Sequence, residues 1–128
     1  MDERTTDPDS GKQRGDREVR LSDDDLYRAL ASTQRRRTLY ILLVQDATTL
    51  DNLATVLAGW EATEAGMMRG SGDYQRIRTE LHHRDLPALE DAGLVEYDHA
   101  TDTVTLEPLT DDVASLIARS VESEQQGD

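Results

Sequence analysis

Apolar residues recur at helical or strand spacing from Leu21 to Val121 and nearly vanish on either side. The richest stretch is 74–106. Tyr74, Ile77, Leu81, Ala88 and Ala92 share one face of a wheel advancing about 100° per residue, which predicts a long helix from Asp73 to Ala92. Leu86, Leu89 and Ala92 repeat the helical spacing near its end, so that this stripe can face a core. Pro87 interrupts the pattern: it lacks an N–H donor, and its ring meets the carbonyl four residues back, that of His83. A kink near His83, or two abutting helices with Asp85 capping the second, each satisfies the sequence, and the kinked single helix is preferred. Gly93 supplies the positive φ that closes a helix. Leu94-Val95-Glu96-Tyr97 and Thr103-Val104-Thr105-Leu106 are short extended runs, and polar Asp98 to Asp102 turns the chain between them.

Upstream, Leu26, Tyr27 and Leu30 form the apolar face of a helix over 21–31, with Ser22 as cap and Asp23, Asp24 and Asp25 at its positive end. A second helix runs to Val44 with Thr33 available as cap. Its nearly unbroken apolar run, Leu39 to Val44, makes it the expected buried centre. Arg35, Arg36 and Arg37 precede that run and read as a solvated turn paired with nearby acids, ahead of a phosphate contact. Thr48 and Thr49 are β-prone and predict a very short strand beside the hairpin, and Thr49 also fits as cap of a third helix, Leu50 to about Trp60. Leu53, Val56, Leu57 and Trp60 share one of its faces. Glu61 to Gly72, with Gly66, Gly70 and Gly72 around Met67 and Met68, predicts a mobile connection, the methionines packing in the loop without binding a ligand. Thr110 caps a last helix with Val113, Leu116, Ile117 and Val121 in a stripe. The expected organisation is a disordered tail over 1–20, one domain over 21–121 and a polar tail over 122–128. The expected fold class is mainly α with a small β-hairpin (α+β), and a helix ending in Ala92-Gly93-Leu94-Val95 and feeding a hairpin looks like the recognition helix and wing of a winged helix-turn-helix domain.

Charge changes this picture. Twenty-seven acids face fourteen bases, a net charge of −13, and every base except Lys12 is Arg. From Gly93 onward nine acids stand against Arg119 alone. Patterned apolar segments argue for a folded core despite the acidity. Cysteine is absent, which removes disulfides, thiol catalysis and cysteine-bound zinc. No apolar run reaches the roughly 18 residues of a membrane span, and no basic-then-apolar start reads as a leader, so a soluble cytoplasmic protein is expected.

The order of elements resembles the ArsR-like winged-helix superfamily over Leu21 to about Val121. Leu26-Tyr27-Arg28-Ala29-Leu30-Ala31 with Arg35-Arg36-Arg37-Thr38-Leu39 looks like its opening helices, and Leu50-Asp51-Asn52-Leu53-Ala54 like its next. Leu81-His82-His83, Leu86-Pro87-Ala88-Leu89 and Ala92-Gly93-Leu94-Val95-Glu96-Tyr97-Asp98 are similar to a set of haloarchaeal domains of unknown function. High acidity, one Lys, and no Phe or Cys resemble proteins of extreme halophiles. At about 1 M salt the Debye length is about 3 Å, so net negative charge does not bar contact with DNA. Two departures stand out. Asp85 occupies the place before Leu-Pro where the resembling sequences favour His, and the glycine-containing connection exceeds a tight helix-turn-helix turn.

The resemblance implies a DNA-binding transcriptional regulator acting as a homodimer. Its helix, about 73–92, would present Arg76, Thr79 and His83, with Gln75 and Arg84 toward the edges, and its wing, 94–106, would add His99 and Thr101. Glu80 and Glu90 are interleaved with the first set, and Arg78 lies near the apolar stripe, where pairing with an acid or snorkelling is expected. Leu26, Val113, Leu116 and Ile117 are the expected dimer contacts. The rival is a winged-helix protein-interaction module without DNA contact, favoured by the acidic wing, by Asp85 and by the lack of a basic patch. Neither metal nor cofactor is expected, since adjacent His82 and His83 point about 100° apart on a helix. No phosphate loop or nucleophile–base constellation argues for an enzyme.

Overall fold

A computed structural model describes residues 23–65 and 71–126 of the chain. Helix α1 (Asp23–Leu30) contacts α2 (Thr33–Gln45) and sends Ala29 and Leu30 to the core with Leu26 half-buried, whereas Tyr27, expected on that face, is 69% exposed. Ser32 caps α2, its side chain accepting the Arg35 N–H at 3.2 Å. Thr33 was the expected cap but is already helical. Leu39 and Leu42 of α2 are wholly buried, each worth roughly 1.5–3 kcal/mol of apolar burial. The apolar run is not buried all round, because Val44 points outward at 71% exposure.

Asp46, at φ 68°, ends α2 with its N–H on the Leu42 carbonyl at 2.7 Å and starts β1 (Ala47–Thr49). Thr49 then caps α3 (Leu50–Ala65) as expected, accepting from Asn52 N–H at 3.1 Å. Leu50, Leu53, Ala54 and Leu57 turn into the core, while Val56 and Trp60 pack partly buried at its edge. Helix α3 continues past Trp60, so residues 61–65 are helical rather than part of a connection. Gly66, Met67, Met68 and Gly70 lie outside the described residues, as do Ser22 and the expected tail over 1–20.

Helix α4 (Ser71–Glu80), a π-helical turn (Leu81–Asp85) and α5 (Leu86–Asp91) follow without a break. The turn resolves the Pro87 problem. Its hydrogen bond from Leu86 N–H reaches back five residues to the Leu81 carbonyl, so the helix takes in one extra residue ahead of the proline. The inward face therefore passes from Ile77 and Leu81 to Leu86 and Leu89, all buried, with Ala92 partly buried beside them. Ala88, expected on that face, is exposed. The single continuous helix holds, and Asp85 makes no side-chain capping bond.

Gly93 closes α5 at φ 81°, with Leu94 N–H bonded to the Leu89 carbonyl at 2.9 Å. Strands β2 (Val95–Asp98) and β3 (Thr103–Leu106) form the wing, pairing Tyr97 with Val104. The short strand β1 joins β3 antiparallel, with Thr48 opposite Val104, giving the order β1-β3-β2. The layout is mainly helical with a small three-stranded antiparallel sheet, an α+β winged helix.

Helix α6 (Asp111–Gln126) packs on α2, capped by Thr110, which accepts from Val113 N–H at 3.2 Å. It continues past Val121, so Glu122 to Gln126 are helix and not the expected tail. Ile117 and Val121 are wholly buried within this one chain. Ile117 thus serves the chain's own core and presents nothing to a second copy. Of the other expected dimer contacts, Leu26, Val113 and Leu116 are half-buried.

Candidate nucleic-acid interface

The long helix shows polar residues to solvent both before and within the π-helical turn. Gln75, Arg76, Thr79, His83 and Arg84 are all exposed, and His99 and Thr101 are exposed at the wing tip. The expected face therefore exists as a surface. Its charge differs from what a phosphate-seeking surface needs. Arg76 Nη2 lies 2.7 Å from Glu61 and 3.6 Å from Asp73, and its Nη1 lies 3.2 Å from Glu80. Partial burial pulls the Arg76 guanidinium pKa down, but Glu61, Glu80 and Asp73 together hold it above its ordinary value. Arg84 bonds to Asp85 through Nε at 3.0 Å, with Glu80 at 3.8 Å, and the bond to Asp85 raises its pKa. Two guanidiniums thus share four carboxylates. The contiguous positive patch that would mark a DNA surface does not form.

Asp85 stands before Leu-Pro, where the resembling sequences favour His. It points inward, wholly buried, and accepts from Gln34 Nε2 at 2.6 Å, Arg84 Nε at 3.0 Å and Arg35 Nη1 at 3.5 Å. The three arginines of α2 are likewise structural. Arg35 also donates to the Ala29 and Arg28 carbonyls at 3.1 and 2.8 Å. Arg36 bonds to Glu124, Leu30 and Thr33. Arg37, 5% exposed, pairs with Glu64 and Glu124 and lies 4.7 Å over the Trp60 ring. They pair with acids as expected, but Arg37 does so from inside the protein.

The wing is fixed to the helices by Arg78 together with acids and a tyrosine that the sequence did not single out. Arg78 Nε donates to Asp51 at 2.6 Å, the pairing expected for an arginine near the stripe, and Asp102 lies 3.9 Å from its Nη2. Hydrogen bonds from Arg78 and Tyr74 hold the Asp51 carboxyl below its ordinary pKa. Asp102, at φ 57°, accepts the Tyr97 hydroxyl at 2.8 Å, while its backbone carbonyl takes the Leu50 N–H at 2.9 Å. Burial, followed by Asp102, pushes the Tyr97 hydroxyl up to about 12. His82 Nδ1 lies 3.2 Å from that hydroxyl. The His82 ring sits edge-on to His83 at 4.6 Å and to His99 at 6.1 Å, and Tyr97 lies 4.3 Å from His99. Two expected site residues from separate elements, His83 and His99, are thereby brought together around His82. The Thr101 hydroxyl donates to that of Thr103 at 2.9 Å.

Residues missed from sequence are those whose role is tertiary: Glu61, His82, Tyr97, Asp102 and Asp51. The one readable signal was the five-residue step from Leu81 to Leu86, which betrays the π-helical turn. Among the described residues, no group of three or more His, Cys, Asp or Glu is arranged to hold a metal ion. No helix of the described residues is long and apolar enough to cross a membrane.

A family model described as a domain of unknown function, DUF7344, matches residues 27–105, from within α1 to within β3. Helix α6 lies beyond the matched residues. No curated protein and no solved structure matches the chain.

Proposed function

The chain belongs to the DUF7344 family, and from its winged-helix layout we propose that it is a DNA-binding transcriptional regulator. The observation that carries this is the outward presentation of Gln75, Arg76, Thr79, His83 and Arg84 along one helix, directly beside the wing that bears His99 and Thr101. A helix of this kind fits the major groove, where Arg and Gln read guanine and adenine edges. In the proposed setting, the cytoplasm of a halophilic archaeon, molar salt shortens the reach of the surrounding acids to contact distance. The active form is a homodimer whose two helices meet successive major grooves about 34 Å apart. Leu26, Val113 and Leu116 are its proposed contacts, without Ile117.

A second reading has its own support. Arg76 and Arg84 are each held by carboxylates, as expected of a winged-helix protein-interaction module that does not touch DNA. Binding to genomic fragments, including those around the protein's own gene, in about molar KCl separates the two. Selective binding that is lost in Arg76→Ala and His83→Ala supports the regulator. A folded protein that binds no fragment better than random DNA supports the interaction module.

A further inference from the structure

All three histidines of the chain, His82, His83 and His99, meet where the π-helical turn faces the wing. We propose that this junction binds a phosphate oxyanion and takes up a proton on its imidazoles as it does so. As a site for a DNA backbone phosphate it rests on the regulator reading above; the same chemistry accepts free phosphate.

The argument starts from one hydroxyl. Tyr97 has a single O–H, and it donates to Asp102 at 2.8 Å. That proton stays in place through the neutral range, because burial and Asp102 hold the hydroxyl at about 12. Facing His82 Nδ1 at 3.2 Å, the Tyr97 oxygen can then only accept, so the ring hydrogen of neutral His82 sits on Nδ1. A neutral imidazole has one N–H, which leaves Nε2 with a lone pair that repels an oxyanion. A second proton converts Nε2 into a charged donor. Phosphate binding at His82 is therefore coupled to protonation, and exposed His83 and His99 stand beside it.

The neighbouring charged groups are already engaged. On the same turn Arg84 and Asp85 bond to each other, and Asp85 is turned inward to Gln34 and Arg35. On the wing Asp98 accepts from Ala100 N–H at 2.9 Å, and Asp102 holds Tyr97. From α5 Glu90 accepts the Tyr97 N–H at 3.3 Å, and from α3 Asp51 is bound by Arg78 and Tyr74.

The test uses the full chain at one fixed salt concentration, with two probes. Inorganic phosphate is titrated at pH 6 and pH 8 while the histidine ring signals are followed by NMR. A labelled pool of random-sequence duplexes is titrated by fluorescence anisotropy from pH 5.5 to 8, for the wild type, His82→Gln and His99→Gln. The last variant changes an exposed ring, and melting temperatures confirm that both variants fold. The proposal expects phosphate to move the His82 and His99 signals at pH 6 and not at pH 8. It also expects DNA affinity to rise as pH falls, by up to about tenfold per unit per coupled proton, with a flatter slope in both variants. Phosphate response without DNA binding supports the site with free phosphate as its source and removes the regulator reading. DNA binding with the same slope in all three proteins overturns the proposal and leaves the regulator standing. Silence of both probes overturns both.

Discussion

The Asp85 carboxylate accepts a 2.6 Å hydrogen bond from the Gln34 amide, tying the π-helical turn to the first turn of α2 at a point where Asp85 has no solvent exposure. Burial of an acid is tolerated here because Arg35 and Arg84 face it as well. Asp85→Ala removes the common partner of three polar side chains and leaves the half-buried Arg35 short of an acid. It is expected to cost about 3 kcal/mol, the lower end for a broken buried pair. Urea unfolding at fixed salt measures this. A change within 0.5 kcal/mol would show that α2 and the turn do not depend on the carboxylate.

Glu124 joins the end of α6 to α2 through Arg37 Nε and Arg36 Nε, each at 3.0 Å. Arg37 keeps Glu64 and the Trp60 ring when Glu124 is lost, so the cost is smaller than for an orphaned buried charge. Glu124→Gln is expected to destabilise by about 1–2 kcal/mol, and a chain ending at Glu122 by at least as much. Denaturant midpoints for both check it, and wild-type stability in the shortened chain would refute the clamp.

The same two residues show where the sequence was legible. Caps at Thr49 and Thr110, the close at Gly93 and the alternation of the wing are local signals, and each produced its element. The helix from Glu122 to Gln126 has no such signal: its residues are polar, and Glu124 is secured by arginines far away in the chain. Arg37 looked like one of three solvated charges because its burial depends on Trp60 and Glu64 from another helix. At the candidate interface the exposed set was readable from helical phase, but the acids that hold Arg76 and Arg84 come partly from α3 and the buried turn. After Leu81 the single wheel face fails at Ala88, which the extra residue of the π-helical turn leaves exposed, whereas the separate stripe of Leu86, Leu89 and Ala92 faces the core as its spacing predicts.

Tyr97 makes an alkaline prediction. Its hydroxyl is raised from 10.0 to about 12 in the folded protein. The folded state thus holds the phenolic proton more tightly than the unfolded chain does. The associated stability is complete below about pH 10 and is lost as pH rises through about 12. Wild-type melting temperature should fall across that window. Tyr97→Phe should start lower, lacking the bonds to Asp102 and His82, and decline less steeply. Parallel pH profiles for the two proteins would remove Tyr97 as the source.

Arg76 cannot reach a DNA group without leaving carboxylates it already holds, and Glu61 at 2.7 Å is the nearest of them. Glu61 is thus an internal competitor for whatever anion or base edge Arg76 meets. Glu61→Gln removes that competitor while leaving Arg76 exposed beside Asp73 and Glu80. A partly exposed pair is worth up to about 1 kcal/mol, so DNA affinity should improve by no more than about fivefold. Arg76→Ala should weaken binding instead. Asp112→Asn, an equal change of charge at an exposed position on α6, supplies the control. It is expected to shift affinity by less than Glu61→Gln at every salt concentration, and the difference should shrink as salt rises. Equal gains from both substitutions would mean that net charge governs the effect, and that Glu61 does not compete at Arg76.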